Sequence, residues 1–210
     1  FAGAYVVAAP GGGRQRERAH EFAGGQLALH EAGLGGGLLG PLLEIGSYCG
    51  KSAVYLGAAA RECGTVLFTI DHHRGSEENQ AGWEHHDADV VDPQTGRMDT
   101  LPYFRRTIES AGLEASVIAV IGDSPTVGTP WQTPVGFLFI DGGHAEEVAM
   151  ADYVIWAKHV LPGGVLAIHD CFEDPADGGQ APFLVWQRAV KDGYVPLATT
   201  GSLRSLRKPS

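Results

Sequence analysis

Acids and histidines recur wherever an apolar, β-rich run gives way to glycine or a turn: Glu44 with Gly46, Asp71, Asp123, Asp141 with His144, and His169 with Asp170. Any one of them reads well enough as a capping or turn residue. Agreement at so many strand ends is harder to explain that way. Asp141, His169 and Asp170 have the side chains to share a metal ion. Two carboxylates with water match the charge and octahedral shell of a hard cation such as Mg²⁺. The imidazole of His169 suits Mn²⁺, Fe²⁺ or Zn²⁺ better, or else packs outside the metal's shell. His144, just past Asp141, is placed to project into the same cleft. An imidazole titrates near neutral pH, which makes His144 a candidate general base for a hydroxyl acidified by a metal. Its plainer reading is a neighbour of a helix N-cap, bonded to backbone.

Those residues need a scaffold that gathers strand ends, and the stretch Leu42–Ser52 supplies its centre. A buried strand, Leu42–Ile45, runs into a turn punctuated by Gly46 and Gly50, and a helix starts near Lys51. In an open α/β sheet such a turn brings backbone amides and a helix N-terminus up to a nucleotide-like ligand. The spacing Glu-x-Gly-x-x-x-Gly lacks the middle glycine of the dinucleotide fingerprint, and no full-length phosphate loop precedes Lys51. A cofactor without a pyrophosphate is expected. Asp71 ends the next strand, where dinucleotide folds place an acid on the ribose hydroxyls, and the same geometry suits any adenosine.

The remaining elements follow in alternation. An arm at 1–13 precedes a helix from Arg14 to about Gly33 bearing Phe22, Leu27 and Leu29, which the glycine-rich 33–40 stretch is expected to stop. Helices are expected at 52–61, 101–111, 145–160 and 182–191, that at 145–160 with Val148, Ala151 and Ile155 on one face. Strands are expected at 65–70, 116–121, 135–140, 165–168, 194–199 and 203–207, with Leu161-Pro162-Gly163-Gly164 separating the 145–160 helix from its strand. This pattern predicts a single α/β domain over 1–210, doubly wound around a mostly parallel seven-stranded sheet, with one antiparallel strand near the C-terminus. Residues 72–100 show no sustained period and read as a lid, since loops of that length in a compact domain usually serve binding. Within it, His72, His73, His85, His86, Asp87 and Asp89 resemble a metal cluster in composition but lack ligand spacing. Trp83 among them fits a lid over a polyhydroxylated ligand.

The formal net charge of −10, with four lysines, argues against a nucleic-acid or anionic-membrane surface. No apolar run reaches the ~20 residues of a membrane span, and no signal-peptide pattern opens the sequence. Cys49, Cys63 and Cys171 have no zinc-ribbon spacing and read as reduced thiols of a cytoplasmic protein.

The run Leu43-Glu44-Ile45-Gly46-Ser47-Tyr48-Cys49-Gly50-Lys51-Ser52-Ala53 resembles the cofactor motif of class I S-adenosylmethionine-dependent O-methyltransferases of the catechol type. Phe137–His144, Leu161–Gly164 and His169-Asp170 are similar to later motifs of that superfamily, nearest to bacterial sugar O-methyltransferases acting on macrolide glycosides and methylmannose polysaccharides. The resemblance spans about 40–172 and implies a Rossmann-like methyltransferase fold. It places Glu44, Gly46, Tyr48 and Ser52 around the methionine part of the cofactor, Asp71 on the ribose, Asp123 or Ser124 near the adenine, and Asp141 beside the cofactor. Asp141 and Asp170 would hold Mg²⁺ or another divalent cation, with His169 in the remaining ligand position where the metal-dependent members usually carry an acid. His144 stands where catechol-type enzymes have a catalytic lysine and the macrolide-sugar enzymes a histidine base. The expectation is therefore methyl transfer to a hydroxyl of a small acceptor, a carbohydrate such as the 1-OH of a methylated mannoside, with a homodimer left open. Alternatives are a phenolic or other natural-product hydroxyl, a non-haem iron oxygenase built on Asp141, His144 and His169, and a non-catalytic binding module.

Overall fold

The computed structural model describes residues 13–76 and 87–210, with side chains from Gly24 onward. The arm expected at 1–13 (up to Gly13), the side chain of Phe22, and Trp83, His85 and His86 lie outside the described residues. In chain order the elements are α1 (Gly13–Gly37), β1 (Leu42–Ile45), α2 (Lys51–Glu62), β2 (Leu67–Asp71), β3 (Val91–Asp92), β4 (Arg97–Met98), α3 (Leu101–Ser110), β5 (Val117–Ile121), α4 (Ser124–Gly128), β6 (Val135–Ile140), α5 (Glu146–Trp156), β7 (Val160–Ile168), α6 (Ala181–Lys191), β8 (Val195–Thr200) and β9 (Leu203–Arg207).

Seven strands form one sheet in the order β5-β2-β1-β6-β7-β9-β8. β5, β2, β1, β6 and β7 pair in parallel, and β9 runs against β7 on one side and against the edge strand β8 on the other. The expected doubly wound sheet with one antiparallel strand near the C-terminus is what the chain forms. Its central strands alternate between two faces, as a period of two requires. Leu42, Phe137, Phe139, Val165 and Ala167 pack with residues of α1, α2 and α3, whereas Leu43, Ile45, Leu138, Ile140, Leu166 and Ile168 pack with α5 and α6. From β1 the chain winds outward through β2 and β5, then returns to β1's other side as β6. Strand order reverses there, and ligands of open α/β sheets bind at such a switch point.

Several local expectations are corrected by packing. α1 runs past Gly33 and ends at Gly37, inside the glycine-rich stretch expected to stop it, and Gly33, Gly36 and Gly37 serve as contact surface rather than as a break. A Cβ on Gly36 would lie 2.6 Å from the Gly136 carbonyl, and one on Gly136 only 2.0 Å from the Gly36 carbonyl, so helix and strand touch backbone to backbone. Leu29 is buried in this layer, but Leu27 is 59% exposed and does not cover the sheet. Pro162-Gly163-Gly164 does not precede the strand. It lies inside β7, where the register jumps from Val135↔Val160 to Phe137↔Val165, so the four residues Leu161–Gly164 stand opposite Gly136 alone as a bulge. On α5 the buried face is Ala149, Asp152, Tyr153 and Trp156, while Val148 is exposed.

The expected lid is partly regular. Residues 88–90 form a 3-10 turn, and β3 pairs with β4 in a small hairpin. Its two ends are fastened together. His73 is buried, with Nδ1 2.8 Å from Thr100 Oγ1, and Arg74 donates to the Met98 carbonyl at 3.1 Å. His73 is thus a tie rather than a metal ligand.

Candidate active site

The glycine turn after β1 is shaped by backbone geometry. Gly46 has φ +86°, and a Cβ there would lie 2.2 Å from the Asp141 carbonyl, so only glycine lets the ends of β1 and β6 meet. Gly50, at φ +89°, closes the turn ahead of α2. Tyr48 also takes a left-handed conformation, φ 44°. Asp71 holds this shape from the neighbouring strand. Its Oδ2 accepts the Ser47 and Tyr48 amides at 3.0 and 2.8 Å, and Oδ1 accepts the His73 amide at 2.7 Å.

Glu44 lies under the turn, fully buried. Thr69 Oγ1 donates to its Oε2 at 2.6 Å, across the register pair Glu44↔Thr69 of β1 and β2. Its Oε1 has no hydrogen-bond partner; the Ser52 hydroxyl is near enough to ease the charge without completing a bond. Burial pushes the Glu44 carboxyl up to about 8, against the pull of Ser52 and Thr69 and with help from Asp141 and Asp71.

Above the turn a cavity of about 400 Å³ opens at the strand ends, a size within the range of small-ligand sites. Among the expected cofactor residues, Gly46, Tyr48, Asp71, Asp123, Ser124 and Asp141 line it. Glu44 and Ser52 are not in its lining; Glu44 lies under the turn and Ser52 in the first turn of α2. Asp123 caps α4, taking the Thr126 amide at 3.3 Å.

Beside Asp141 and His144, which line the cavity, the remaining expected residues converge. His169 Nδ1 lies 3.3 Å from Asp141 Oδ1 and 3.1 Å from Asp170 Oδ1. The other Asp170 oxygen, Oδ2, is 3.2 Å from His144 Nε2. One carboxylate therefore touches both the candidate base and the candidate metal group. Asp170 reaches this position from a left-handed backbone, φ 53°, which a non-glycine residue adopts at a cost. Burial works against a charge on His169, but hydrogen bonds to Asp141 and Asp170 and their charges prevail and raise it to about 10. Burial raises Asp170, and His144 and His169 more than reverse this, leaving it well below the usual carboxylate range.

Two carboxylate oxygens and one imidazole nitrogen, all within 4.8 Å of one another, make Asp141, His169 and Asp170 a donor set that fits a divalent cation. The nitrogen donor favours Mn²⁺ or Zn²⁺ over Mg²⁺. His144 meets this group through Asp170, so the iron-oxygenase set of Asp141, His144 and His169 is not the one the strand ends assemble.

Asp152 was not legible as a site residue. It lines the cavity from α5 while being 2% exposed, and Ser124 Oγ donates to its Oδ1 at 2.5 Å. The available signal was an acid on the otherwise apolar face of a helix next to a strand end.

Comparison with known proteins places the fold. The chain superposes on the O-methyltransferase NovP with a TM-score of 0.64 at 12% identity, covering 88% of this chain and 79% of that one. It superposes on CalS11, a calicheamicin methyltransferase, at 0.61 and 15% identity, covering 91% and 79%. An O-methyltransferase from Bacillus cereus in complex with SAH gives 0.56 at 18% identity, covering 96% and 84%. At these identities the likeness is one of fold. Residues 43–171 match a family described as a methyltransferase domain. They run from β1 and its glycine turn to the acids after β7, more than half of the sequence, and the chain belongs to that methyltransferase family.

Proposed function

We propose that the chain transfers a methyl group from S-adenosylmethionine to a hydroxyl of a small acceptor, with His144 as general base. The observation that carries this is the shared Asp170 carboxylate, Oδ2 against His144 and Oδ1 against His169, which joins two residues that line the cavity, His144 directly and Asp141 through His169. The cavity accepts the donor with Asp71 at the ribose and the turn 46–50 around the methionine portion. Ionised Asp170 fixes the ring of His144 and favours the imidazolium that forms when it takes the acceptor's proton. The acceptor oxygen attacks the sulfonium methyl in line, the carbon–sulfur bond breaks, and sulfur leaves as the thioether of S-adenosylhomocysteine. Because the leaving group needs no proton, positioning and deprotonation make up the protein's share of the catalysis. Asp141, His169 and Asp170 would hold a divalent cation, which when bound lowers the pKa of an acceptor hydroxyl.

For the acceptor we take a sugar hydroxyl, in particular the 1-OH of a methylated mannoside. Supporting it are the sequence resemblance and the polar side chains of His72, Ser76 and Glu147 on the cavity. Two of the superposing proteins are named O-methyltransferases, which supports oxygen as the atom methylated. The segment 72–100 would close over acceptor and donor. An acceptor screen with methyl-labelled S-adenosylmethionine, run with and without EDTA, tests the reading. Label in a methyl glycoside that disappears with EDTA is the expected result; label in phenols alone would replace the acceptor class, and transfer unaffected by EDTA would remove the metal.

A further inference from the structure

The α5 wall of the cavity holds an acid that the reading above leaves without a role. Asp152 is 2% exposed yet lines the cavity. Trp156 Nε1 donates to Ser124 Oγ at 2.8 Å, and Ser124 Oγ donates to Asp152 Oδ1 at 2.5 Å. This relay from a buried indole fixes the carboxylate in one orientation. The second oxygen, Oδ2, sits behind Gly142, where a Cβ would come within 2.9 Å of it. Gly142 lines the cavity too, and without a side chain it does not crowd that oxygen. Burial raises the carboxyl to about 6, with Ser124 lowering it and Asp123 raising it, so near neutral pH it is ionised and a pure acceptor. A buried carboxylate is costly unless a donor meets it.

Position decides which donor. The transferred methyl must lie beside His144 and the metal group, and the ribose beside Asp71. The base of an adenosyl cofactor then falls against Gly122–Pro125 and α5, all of which line the cavity. There the Ser124 proton is committed to Asp152, and Asp123 turns Oδ2 back onto the Thr126 amide and hydroxyl. Asp71 engages both its oxygens with backbone amides.

We propose that Asp152 reads the base of the methyl donor, its Oδ2 accepting a hydrogen bond from the exocyclic 6-amino group of adenine and so excluding a 6-oxo purine. The inference rests on the S-adenosylmethionine reading above. It makes Asp152 a specificity residue, and Ser124 and Trp156 the residues that position it.

Calorimetric titration of the full chain with S-adenosylhomocysteine and with its deaminated counterpart, S-inosylhomocysteine, tests it. Wild type is expected to prefer the adenosyl ligand by roughly tenfold to a hundredfold, the range for a hydrogen bond to a charged group. In Asp152→Asn the side chain keeps an oxygen for Ser124 and turns an amide N–H₂ toward the base. The adenosyl ligand should weaken by about tenfold or more, and the preference should vanish or reverse. Gly142→Ala, whose Cβ would push the carboxylate aside, should also lose the preference and serves if the first variant melts early. Equal loss of both ligands in the variants, or a wild type that does not discriminate, overturns the assignment. A wild type that binds neither ligand removes the donor reading itself, an outcome distinct from failure at Asp152.

Discussion

His144 and His169 lean on opposite oxygens of one carboxylate, and this separates their tasks. A base removed from such a site should slow the chemical step without loosening the donor. His144→Ala is expected to lower kcat by about 10²–10⁴ at saturating donor and acceptor, the usual worth of a positioned base. Its affinity for S-adenosylhomocysteine by calorimetry should stay unchanged; a variant with full turnover would assign the proton elsewhere. The metal group makes its own claim, readable without activity. Protein dialysed against EDTA should bind about one Mn²⁺ per chain by electron paramagnetic resonance, by the fit of its three donors, and His169→Ala and Asp141→Asn should each weaken that binding. At this scale the sequence was informative because polar residues stood out where apolar runs ended. Asp152 did not stand out, because it sits among Ala149, Tyr153 and Trp156 on a helix face whose neighbours are core.

Glu44 and Thr69 join β1 to β2 through a buried pair, and the pair has a signature in pH. Glu44 titrates at about 8 in the fold against an ordinary 4.5. Between those values the native protein keeps a proton that the unfolded chain releases, so stability is full below the lower value, falls as pH rises, and levels off above about 8. Glu44→Gln carries no such proton. Its stability relative to wild type, by urea denaturation, should therefore rise from pH 5 to pH 8; a constant difference would place the carboxyl's titration elsewhere. The same scale holds the clearest misreadings. The glycines of 33–37 and the bulge at Pro162-Gly163-Gly164 look like punctuation locally, since glycine and proline usually end elements. Here one set exists so that α1 can touch β6, a partner about a hundred residues away that no local pattern reveals. Gly136→Ala, whose Cβ would collide with the Gly36 carbonyl, should destabilise the protein by about 1–3 kcal/mol, the usual cost of overpacking.

For the whole molecule, the winding of the sheet matters more than any single contact. The cavity is lined by the ends of β1, β2, β5 and β6 and by α5, so both halves of the doubly wound sheet contribute walls. Alternation of strands and helices made this architecture legible from the order of elements, and the switch point located the cleft. The acceptor was not legible, because the stretch expected to select it, 72–100, has no hydrophobic period to read. Among the described residues no helix is long and apolar enough to cross a membrane. A ligand held by both halves of the sheet binds the native state and not the unfolded chain, so it must stabilise the entire fold by mass action. At a hundred times its dissociation constant, S-adenosylhomocysteine should add about 2.7 kcal/mol, or roughly 5–10 °C in Tm for a chain of this size. Differential scanning fluorimetry across a concentration series checks the rise. Asp71→Ala should diminish it, because that substitution releases the Ser47 and Tyr48 amides and lets the turn lose the shape that meets the donor. A Tm indifferent to S-adenosylhomocysteine at every concentration would mean that the cleft at the switch point holds something other than the adenosyl donor.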